Sequence, residues 1–238
     1  MTQPVRLWLT LEEFTGLTVR QAQVTPPQFA TAAVRELLKG PNQSEVSNGW
    51  GTAIPSGSEL LGIDIANGVA TVDLSNRFES GGGSLSARLR LAQLVYTLTE
   101  FQTVQSVALE IEGQPATTFS SEGIVLDGPM TRADFEDLMA PIIVETPTAG
   151  QRVTSPVKIS GSANVFEATV SIEIVVGDET AAAAFTTATC GTGCRGTYSK
   201  NVRFQIPEEV DAVIRVFESS AQNGAPIHVV SVPVVLVP

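Results

Sequence analysis

The chain has 238 residues, which is enough for two domains that each bury a hydrophobic core. Its 14 basic and 25 acidic residues give a net charge of -11, which repels the phosphates of nucleic acids and of anionic lipids, so neither is an expected partner. No run of about 18 apolar residues occurs, which excludes a helix that spans a membrane within these residues.

The first strand is predicted in the segment VRLWLT. Its alternation puts the apolar side chains on a buried face, namely Val5, Leu7 and Leu9. The opposite face then carries Arg6 and Trp8. An alternative is that Trp8 packs under the N-terminal arm or against the second domain. A strand pattern so close to residue 1 is not typical of a signal peptide, so we expect any membrane anchor to lie upstream of these residues.

Two helices are predicted in this first part of the chain. The segment TPPQFATAAVRELLKGP has Thr25 as its expected cap, Pro26 and Pro27 in its first turn and Gly40 at its end. The segment SLSARLRLAQLVYTLTEF has Ser84 as its expected cap. Both segments repeat apolar residues at the spacing of one helix face, so each helix has one face to bury.

A hairpin is predicted between the helices, in the segment LLGIDIANGVATVDLS. Its turn is the dipeptide Asn67-Gly68, which favours a two-residue hairpin turn because both residues accept a positive φ. The turn fixes the register, and the expected apolar pairs are Ile65 with Ala70, Ile63 with Val72 and Leu61 with Leu74. The opposite face of the hairpin carries Asp64, Thr71 and Asp73.

A later strand, VALEIEG, alternates in the same way, with Val107, Leu109 and Ile111 inward and Glu110 and Glu112 outward. We therefore expect an α+β N-terminal domain, a small sheet with two helices on one face. The other face stays open and mostly acidic. We predict it to be the binding surface, formed by Trp8, Asp64, Thr71, Asp73, Glu110 and Glu112.

The carboxylates on this face allow three interpretations. They could bind a divalent cation weakly, or they could act as the acid and base of a glycosidase-like site. Carboxylates that face water on a sheet are more often only solvated. We adopt the last interpretation, so no metal ligand is assigned.

The pattern changes near Ala140 and Pro141, which predicts a first domain of residues 1–140 and a second of residues 141–238. The second domain shows only strand and turn signals. Seven strands are predicted, in the segments IIVET, VKISGSA, ATVSIEIVV, AAAAFTTAT, GTYSKNVRFQI, AVIRVFES and IHVVSVPVVLV. Short strands at this spacing indicate an all-β sandwich of immunoglobulin-like type.

Both cysteines, Cys190 and Cys194, lie in the stretch TTATCGTGCRGTYSK. A zinc site needs four nitrogen or sulfur ligands, and the chain offers only these thiols and His228. A redox pair is normally Cys-x-x-Cys at the start of a helix, which this stretch is not. We favour a disulfide across a glycine-rich hairpin, and two free thiols are the alternative. Because disulfides persist outside the reducing cytosol, the disulfide predicts export.

Parts of both domains resemble known families. The segments AVRELLKGP, IPSGSELLGIDIANGVATVDLS and RLRLAQLVYTLTEFQTVQSVALEIEGQP resemble the GerMN domain of sporulation and spore germination proteins. The segments SPVKISGSANVFEATVSIEIVVGDE, VIRVFESSAQNG and VVSVPVVL resemble the immunoglobulin-like domain of bacterial spore germination proteins. The resemblance implies an envelope-attached, non-catalytic protein, usually a lipoprotein. It also implies self-association, since GerMN domains resemble modules that pack into rings. This chain differs in having one GerMN copy, with an immunoglobulin-like domain in the place of a second.

The chain shows no set of residues that converges on a reaction. His228 lies in a strand pattern, no GxSxG elbow is present, and Gly81-Gly82-Gly83 lacks the lysine of a phosphate loop. We therefore predict no catalysis and no cofactor. The chain is interpreted as an exported cell-envelope scaffold whose protein partners carry a basic surface. The alternative is an accessory protein that binds peptidoglycan or glycans, or a degenerate hydrolase, against which the aromatic content of only 6% counts.

Overall fold

The computed structural model of the protein describes residues 2–11, 16–25 and 28–238. The described residues form two compact units. The first unit takes its described residues from Met1–Thr10, Thr15–Pro41 and Gly51–Met139, and the second from Leu11–Phe14, Asn42–Trp50 and Ala140–Pro238. The segment 42–50 therefore clusters with the C-terminal residues, although it precedes them by almost a hundred positions.

The α-helices are α1 (Phe29–Leu38), α2 (Gln43–Ser47) and α3 (Ser84–Leu98). The strands before residue 140 are β1 (Gln3–Leu11), β2 (Gly16–Val24), β3 (Trp50–Gly51), β4 (Leu60–Ala66), β5 (Val69–Leu74), β6 (Ser106–Ile111), β7 (Gln114–Pro115), β8 (Thr118–Phe119) and β9 (Ile124–Val125). They form sheets of order β2-β1-β3, β4-β5-β6-β7 and β8-β9. The expected single sheet is therefore corrected, because β1 and the hairpin belong to different sheets.

The later strands are β10 (Ile142–Thr146), β11 (Arg152–Thr154), β12 (Val157–Ala163), β13 (Thr169–Val176), β14 (Glu179–Thr187), β15 (Gly196–Val202), β16 (Val210–Ser219) and β17 (Pro226–Val237). They form two sheets of order β10-β12-β15 and β11-β17-β16-β13-β14. All seven predicted strands are confirmed. The short strand β11, which pairs in parallel with β17, was not predicted. The core between the sheets contains Ile159, Val170, Ile172, Ile174, Ile214, Val216, Val232 and Leu236.

β4 and β5 form the predicted antiparallel hairpin, and two of its predicted pairs are confirmed, Ile65 with Ala70 and Ile63 with Val72. The third differs, because Leu74 faces Leu60 and an irregularity in the ladder takes Leu61 out of register. Leu61 is consequently exposed. β6 joins β5 in parallel, so the chain must cross over between them, and it does so through α3.

The central helix α3 is buried on almost every side. The apolar residues of the predicted stripe that lie within the helix are buried, and the polar side chains of Arg90, Gln93 and Thr97 are buried as well. Helix α1, strands β2 and β6 and the 3₁₀ turn Arg132–Leu138 all pack against α3. A single apolar stripe predicts one covered face, whereas α3 lies inside the unit and uses polar side chains to bond backbone groups around it.

The ends of α1 and α3 agree only in part with the capping residues predicted from the sequence. α1 begins at Phe29 and ends before Gly40, which has the positive φ expected of a helix stop. Its predicted first turn, Pro26 and Pro27, lies outside the described residues. In α3 the cap is Gly83, so Ser84 is the first helical residue instead of the predicted cap.

Candidate functional site

The acidic residues predicted as a binding surface share one face of the sheet β4-β5-β6-β7. Asp64 lies opposite Thr71 across the hairpin, and Asp73 lies opposite Glu110 across the parallel pair. Directly paired residues point to the same side of a sheet, so these four side chains share one surface, which we call the acidic sheet face. The reverse side is the core, with Ala70, Val72, Leu74, Val107 and Leu109 buried.

Two of the predicted carboxylates bind backbone groups. Asp73 Oδ1 accepts a hydrogen bond from the Gly113 N–H at 2.9 Å. Glu112 Oε1 accepts one from the Asn76 N–H at 3.0 Å. Glu112 has a φ of 50° and lies in the turn after β6, at the end of the acidic sheet face. These two side chains therefore fix the turn between β6 and β7 and are not fully available to a partner.

Asp64 and Glu110 differ from them. Within the described residues neither carboxylate has a hydrogen bond or an ion pair with a protein group. Asp64 is exposed on the edge strand β4, and Glu110 is half-buried on β6. With Thr71 between them, they are the part of the acidic sheet face that can meet a ligand or another protein.

Trp8 is not part of this surface, which corrects the prediction. Its strand β1 belongs to the other sheet, and its side chain is only 5% exposed. The indole ring packs on Tyr96 of α3, with ring centres 4.8 Å apart, and the Trp8 Nε1–H donates to Glu100 at 3.2 Å. Trp8 is buried because α3 covers the face that the alternation of β1 left open.

A positively charged side chain, Arg132, also lies next to Trp8. The Arg132 guanidinium lies 4.9 Å from the ring centre of Tyr96 and 5.7 Å from that of Trp8. It also forms an ion pair with Glu100 at 2.5 Å and donates to the Thr99 hydroxyl at 2.7 Å. The cluster therefore ties the turn that contains Arg132 to α3 and to β1, which is a structural role.

Arg90 was missed by sequence reasoning. It is 1% exposed and donates to three backbone carbonyls, Ala53 O at 3.1 Å, Phe78 O at 2.5 Å and Gly81 O at 3.0 Å. Its guanidinium also lies about 6 Å from the ring centres of Phe78 and Phe119. Burial lowers the pKa of Arg90 below its ordinary value. The Gly81-Gly82-Gly83 loop thus bonds an arginine of its own chain, and an arginine inside a helical apolar pattern was the available signal.

Cys190 and Cys194 form a disulfide in the loop between β14 and β15. The loop rests on residues 164–168, where the Thr192 N–H donates to Val165 O at 2.9 Å and the Gly193 N–H donates to Asn164 Oδ1 at 3.0 Å. Gly191 touches the backbone of Ala168 so closely that an added Cβ would lie 2.5 Å from it. The disulfide therefore closes a loop that hydrogen bonds already hold.

His228 has a neighbour that strand periodicity did not reveal. Its Nδ1 lies 2.8 Å from Glu218 Oε2, and Glu218 Oε1 accepts the Phe166 N–H at 3.0 Å. The Glu218 side chain is buried, with 11% of it exposed. The pair joins β16 and β17 to the 3₁₀ turn Phe166–Ala168. No serine or cysteine nucleophile accompanies it among these contacts.

Neither a metal site nor a membrane span is found in the described part of the chain. No group of three or more His, Cys, Asp or Glu side chains in residues 2–11, 16–25 and 28–238 is placed to hold a metal ion. Across the same ranges, no helix has both the length and the apolar character needed to cross a bilayer.

Two family models match the chain in series. Residues 10–117 match Germane, described as sporulation and spore germination, and residues 141–225 match Gmad2, the immunoglobulin-like domain of bacterial spore germination. No curated protein matches the chain.

The solved structures that are similar to this chain include two of the sporulation protein GerM. The first GerMN domain of the sporulation protein GerM from Bacillus subtilis is 24% identical, covers 55% of this chain and 99% of its own, and has a TM-score of 0.47. The tandem GerMN domains of GerM are 14% identical, with a TM-score of 0.49, and the match covers 100% of this chain and 61% of that one. The two matches assign residues 10–117 to the Germane family, described as sporulation and spore germination, and residues 141–225 to the immunoglobulin-like Gmad2 family of bacterial spore germination.

Proposed function

We propose that the protein is a non-catalytic interaction module of the cell envelope, which binds a basic protein surface through the acidic sheet face. The observation that carries the proposal is the pair Asp64 and Glu110, which lie on one sheet face with no partner among the described residues. Its two domains come from sporulation and spore germination families, and neither family description names an enzyme.

Charge supports a basic partner. The chain carries a net charge of -11, and the acidic sheet face adds a local field that attracts cationic side chains. Complementary charges mainly accelerate association and select partners, and their effect is screened by salt. Binding through this face should therefore weaken as ionic strength rises.

Export and attachment to the envelope are parts of the same proposal. The disulfide between Cys190 and Cys194 is a bond that persists in oxidising compartments, which favours a location outside the cytosol. We place the protein at the cell envelope, held as a lipoprotein or by another anchor. Labelling of intact cells with an impermeant reagent would test this placement.

The alternative of glycan binding gains no support from the two tryptophan side chains. Sugar rings usually stack on exposed aromatic side chains, and tryptophan is the best of these. Trp8 is 5% exposed and Trp50 is 1% exposed, so neither offers a free ring face. No observation favours a glycan site on the acidic sheet face over a protein partner.

Pull-down from an envelope extract tests the proposed function. The test variant is Asp64→Lys/Glu110→Lys, and the matched control is Glu136→Lys/Glu208→Lys, which changes the net charge equally at two exposed positions outside the face. The wild type and the control should capture the same basic proteins at low salt, and the test variant should lose them. Equal capture by both variants, with both folded, would disprove the assignment of the surface.

Activity assays test the non-catalytic part of the proposal. We expect no turnover in a panel of muramidase and esterase substrates, with or without added divalent cations. Turnover that disappears in Asp64→Ala or Asp73→Ala would show that the acidic sheet face is an active site.

A further inference from the structure

The edges of the immunoglobulin-like sandwich differ in how they are protected. An edge strand exposes unpaired N–H and C=O groups, and proteins protect such edges with short strands, irregularities or charged side chains. β11 has three residues and β10 has five, so both are short. On β15, Lys200 pairs with the fully buried Ile159, so a lysine points toward the core side of this edge. Three edges thus carry a recognised protection.

The fourth edge, β14, lacks a charged side chain along most of its length. It spans nine residues, Glu179–Thr187, and only its first residue is charged. In the described residues β14 pairs on one side only, with β13. Phe185, in the second half of the strand, is 68% exposed, the highest value among the exposed large hydrophobic residues of the described chain. A long, uncharged edge with an exposed aromatic side chain is what strand addition requires.

We propose that β14 pairs with β14 of a second copy of this chain in antiparallel orientation, which makes one continuous sheet across a two-fold axis. Such an interface is isologous, so each copy must present a surface that complements itself. The proposal is independent of the acidic sheet face, since it concerns the other domain. Two observations favour a second copy over a different partner.

The first observation is the complementarity of side-chain size. The strand contains four alanines, Ala181–Ala184, followed by Phe185. In an antiparallel register centred on Ala183 or Ala184, each Phe185 lies directly opposite an alanine of the other copy, and so it fills the space that the small side chain leaves. The ladder with β13 shifts near Ala181, so the regular part of the edge begins at Ala182.

The second observation is the complementarity of charge at the two ends. The acidic pair Asp178-Glu179 lies at the start of β14 and is exposed. At the other end the Thr186 hydroxyl donates to Ser199 O at 3.5 Å, which places the exposed Lys200 beside the end of β14. Antiparallel pairing brings Glu179 of one copy toward Lys200 of the other, twice per dimer. The centre of the interface is uncharged, so the two negatively charged copies bring no like charges together there.

Sedimentation velocity over a range of concentrations tests the pairing. The wild type should form a dimer, and Phe185→Lys should raise the dimer dissociation constant by about tenfold or more, because each added lysine replaces an aromatic contact by a charge in the uncharged centre of the interface. The control is Val125→Lys, which adds the same charge at an apolar residue of 64% exposure in the other domain and should leave the dimer unchanged. A wild type that stays monomeric, or equal dimerisation of both variants, would overturn the proposal.

An exchange of the charges at positions 179 and 200 distinguishes pairing with a second copy from binding of another partner. Glu179→Lys and Lys200→Glu should each weaken the dimer, and the two changes in one chain should restore it, because each interface then again contains opposite charges. Restoration by the double variant requires that both residues meet across copies. Failure of the double variant to restore a dimer, with the chain folded, counts against the pairing.

Cross-linking gives a measurement that does not depend on a weakened dimer. A cysteine at the centre of the interface, Ala183→Cys or Ala184→Cys, should form a disulfide with the same cysteine of the second copy under mild oxidation. Val125→Cys, which lies outside the interface, should not. Equal cross-linking rates for Val125→Cys and for the central cysteine would contradict the two-fold pairing. A wild type that stays monomeric and binds a different protein through β14 would also contradict it.

Discussion

The Tyr198 hydroxyl donates to the carbonyl oxygen of Ile143 at 3.0 Å, across the strand β12 that lies between their own strands. The bond passes over Gly161, which is the partner of Tyr198 in the ladder. A Cβ on Gly161 would lie 1.9 Å from Ile143 O. Gly161 is therefore required because the tyrosine and the carbonyl occupy the space of a side chain.

Gly161→Ala should destabilise the sandwich domain by about 3 kcal/mol, since the added methyl group forces backbone apart in a packed core. The matched control is Gly62→Ala on β4, where the nearest atom to an added Cβ is 3.8 Å away, so it should change stability by less than about 1 kcal/mol. Urea denaturation measures both, and hydrogen exchange by mass spectrometry locates the loss. A loss no larger for Gly161→Ala than for Gly62→Ala would disprove the steric account.

Tyr198→Phe should give a stability difference that depends on pH. Burial raises the pKa of Tyr198 well above its ordinary value, so the folded protein keeps the phenolic proton. An unfolded tyrosine releases it above about pH 10, and stability then falls by about 1.4 kcal/mol per pH unit. Near neutral pH the variant should be about 1 to 2 kcal/mol less stable, because Ile143 O loses its donor.

Urea denaturation at several pH values checks this expectation. The difference between the wild type and Tyr198→Phe should shrink above about pH 10, since only the wild type carries this titration. A difference that stays constant from neutral pH to about pH 11 would show that the hydroxyl is not held in its protonated form.

Two arginines of α3 provide a matched comparison. Arg90→Leu should cost about 3 kcal/mol or more, because the carbonyls of Ala53, Phe78 and Gly81 lose the buried guanidinium that donates to them. Arg88→Leu should cost less than about 1 kcal/mol, since its ion pair with Asp137 is largely exposed. Thermal unfolding compares the two variants, and similar losses would mean that the three hydrogen bonds of Arg90 do not stabilise the fold.

Removing the disulfide should matter less than disturbing the loop it closes. Cys190→Ser/Cys194→Ser should cost about 2 kcal/mol, because the closed ring is short and hydrogen bonds hold the loop. Gly191→Ala should cost more, since its Cβ would meet the Ala168 backbone at 2.5 Å. Chemical denaturation ranks the variants, and the reverse order would show that the disulfide is the main support of the loop.

Sequence patterns predicted the features that depend on neighbours along the chain. The Asn67-Gly68 turn sets the pairs Ile65–Ala70 and Ile63–Val72, because a two-residue turn leaves the strands no other register. The strands of the sandwich were found for the same reason, since alternation and turn residues mark each one. Helix α2 was missed although Asn42 and Glu45 form a capping box, a signal readable as Asn-x-x-Glu.

Features that depend on an element packed from a distant part of the chain were not predictable in this way. The alternation in β1 separates Trp8 from Leu7 and Leu9, but it does not say whether α3 covers the second face. The same limit applies to Arg90, whose three carbonyl partners come from separate loops. The acidic sheet face was assigned from the hairpin register, and only the structure separates Asp64 and Glu110 from Asp73 and Glu112, which bind backbone groups.

The backbone N–H and carbonyl of Trp8 form hydrogen bonds with side chains of helix α3. Its N–H donates to the Thr97 hydroxyl at 3.0 Å, and its carbonyl accepts from the Gln93 amide at 2.9 Å, over sequence separations of 89 and 85 residues. A growing chain therefore cannot finish its first strand until α3 has been made, so β1 must wait, partly unpaired, while more than a third of the protein is synthesised. Its final registration is a late event of folding, and a chain cut before α3 would leave that strand open to wrong pairing.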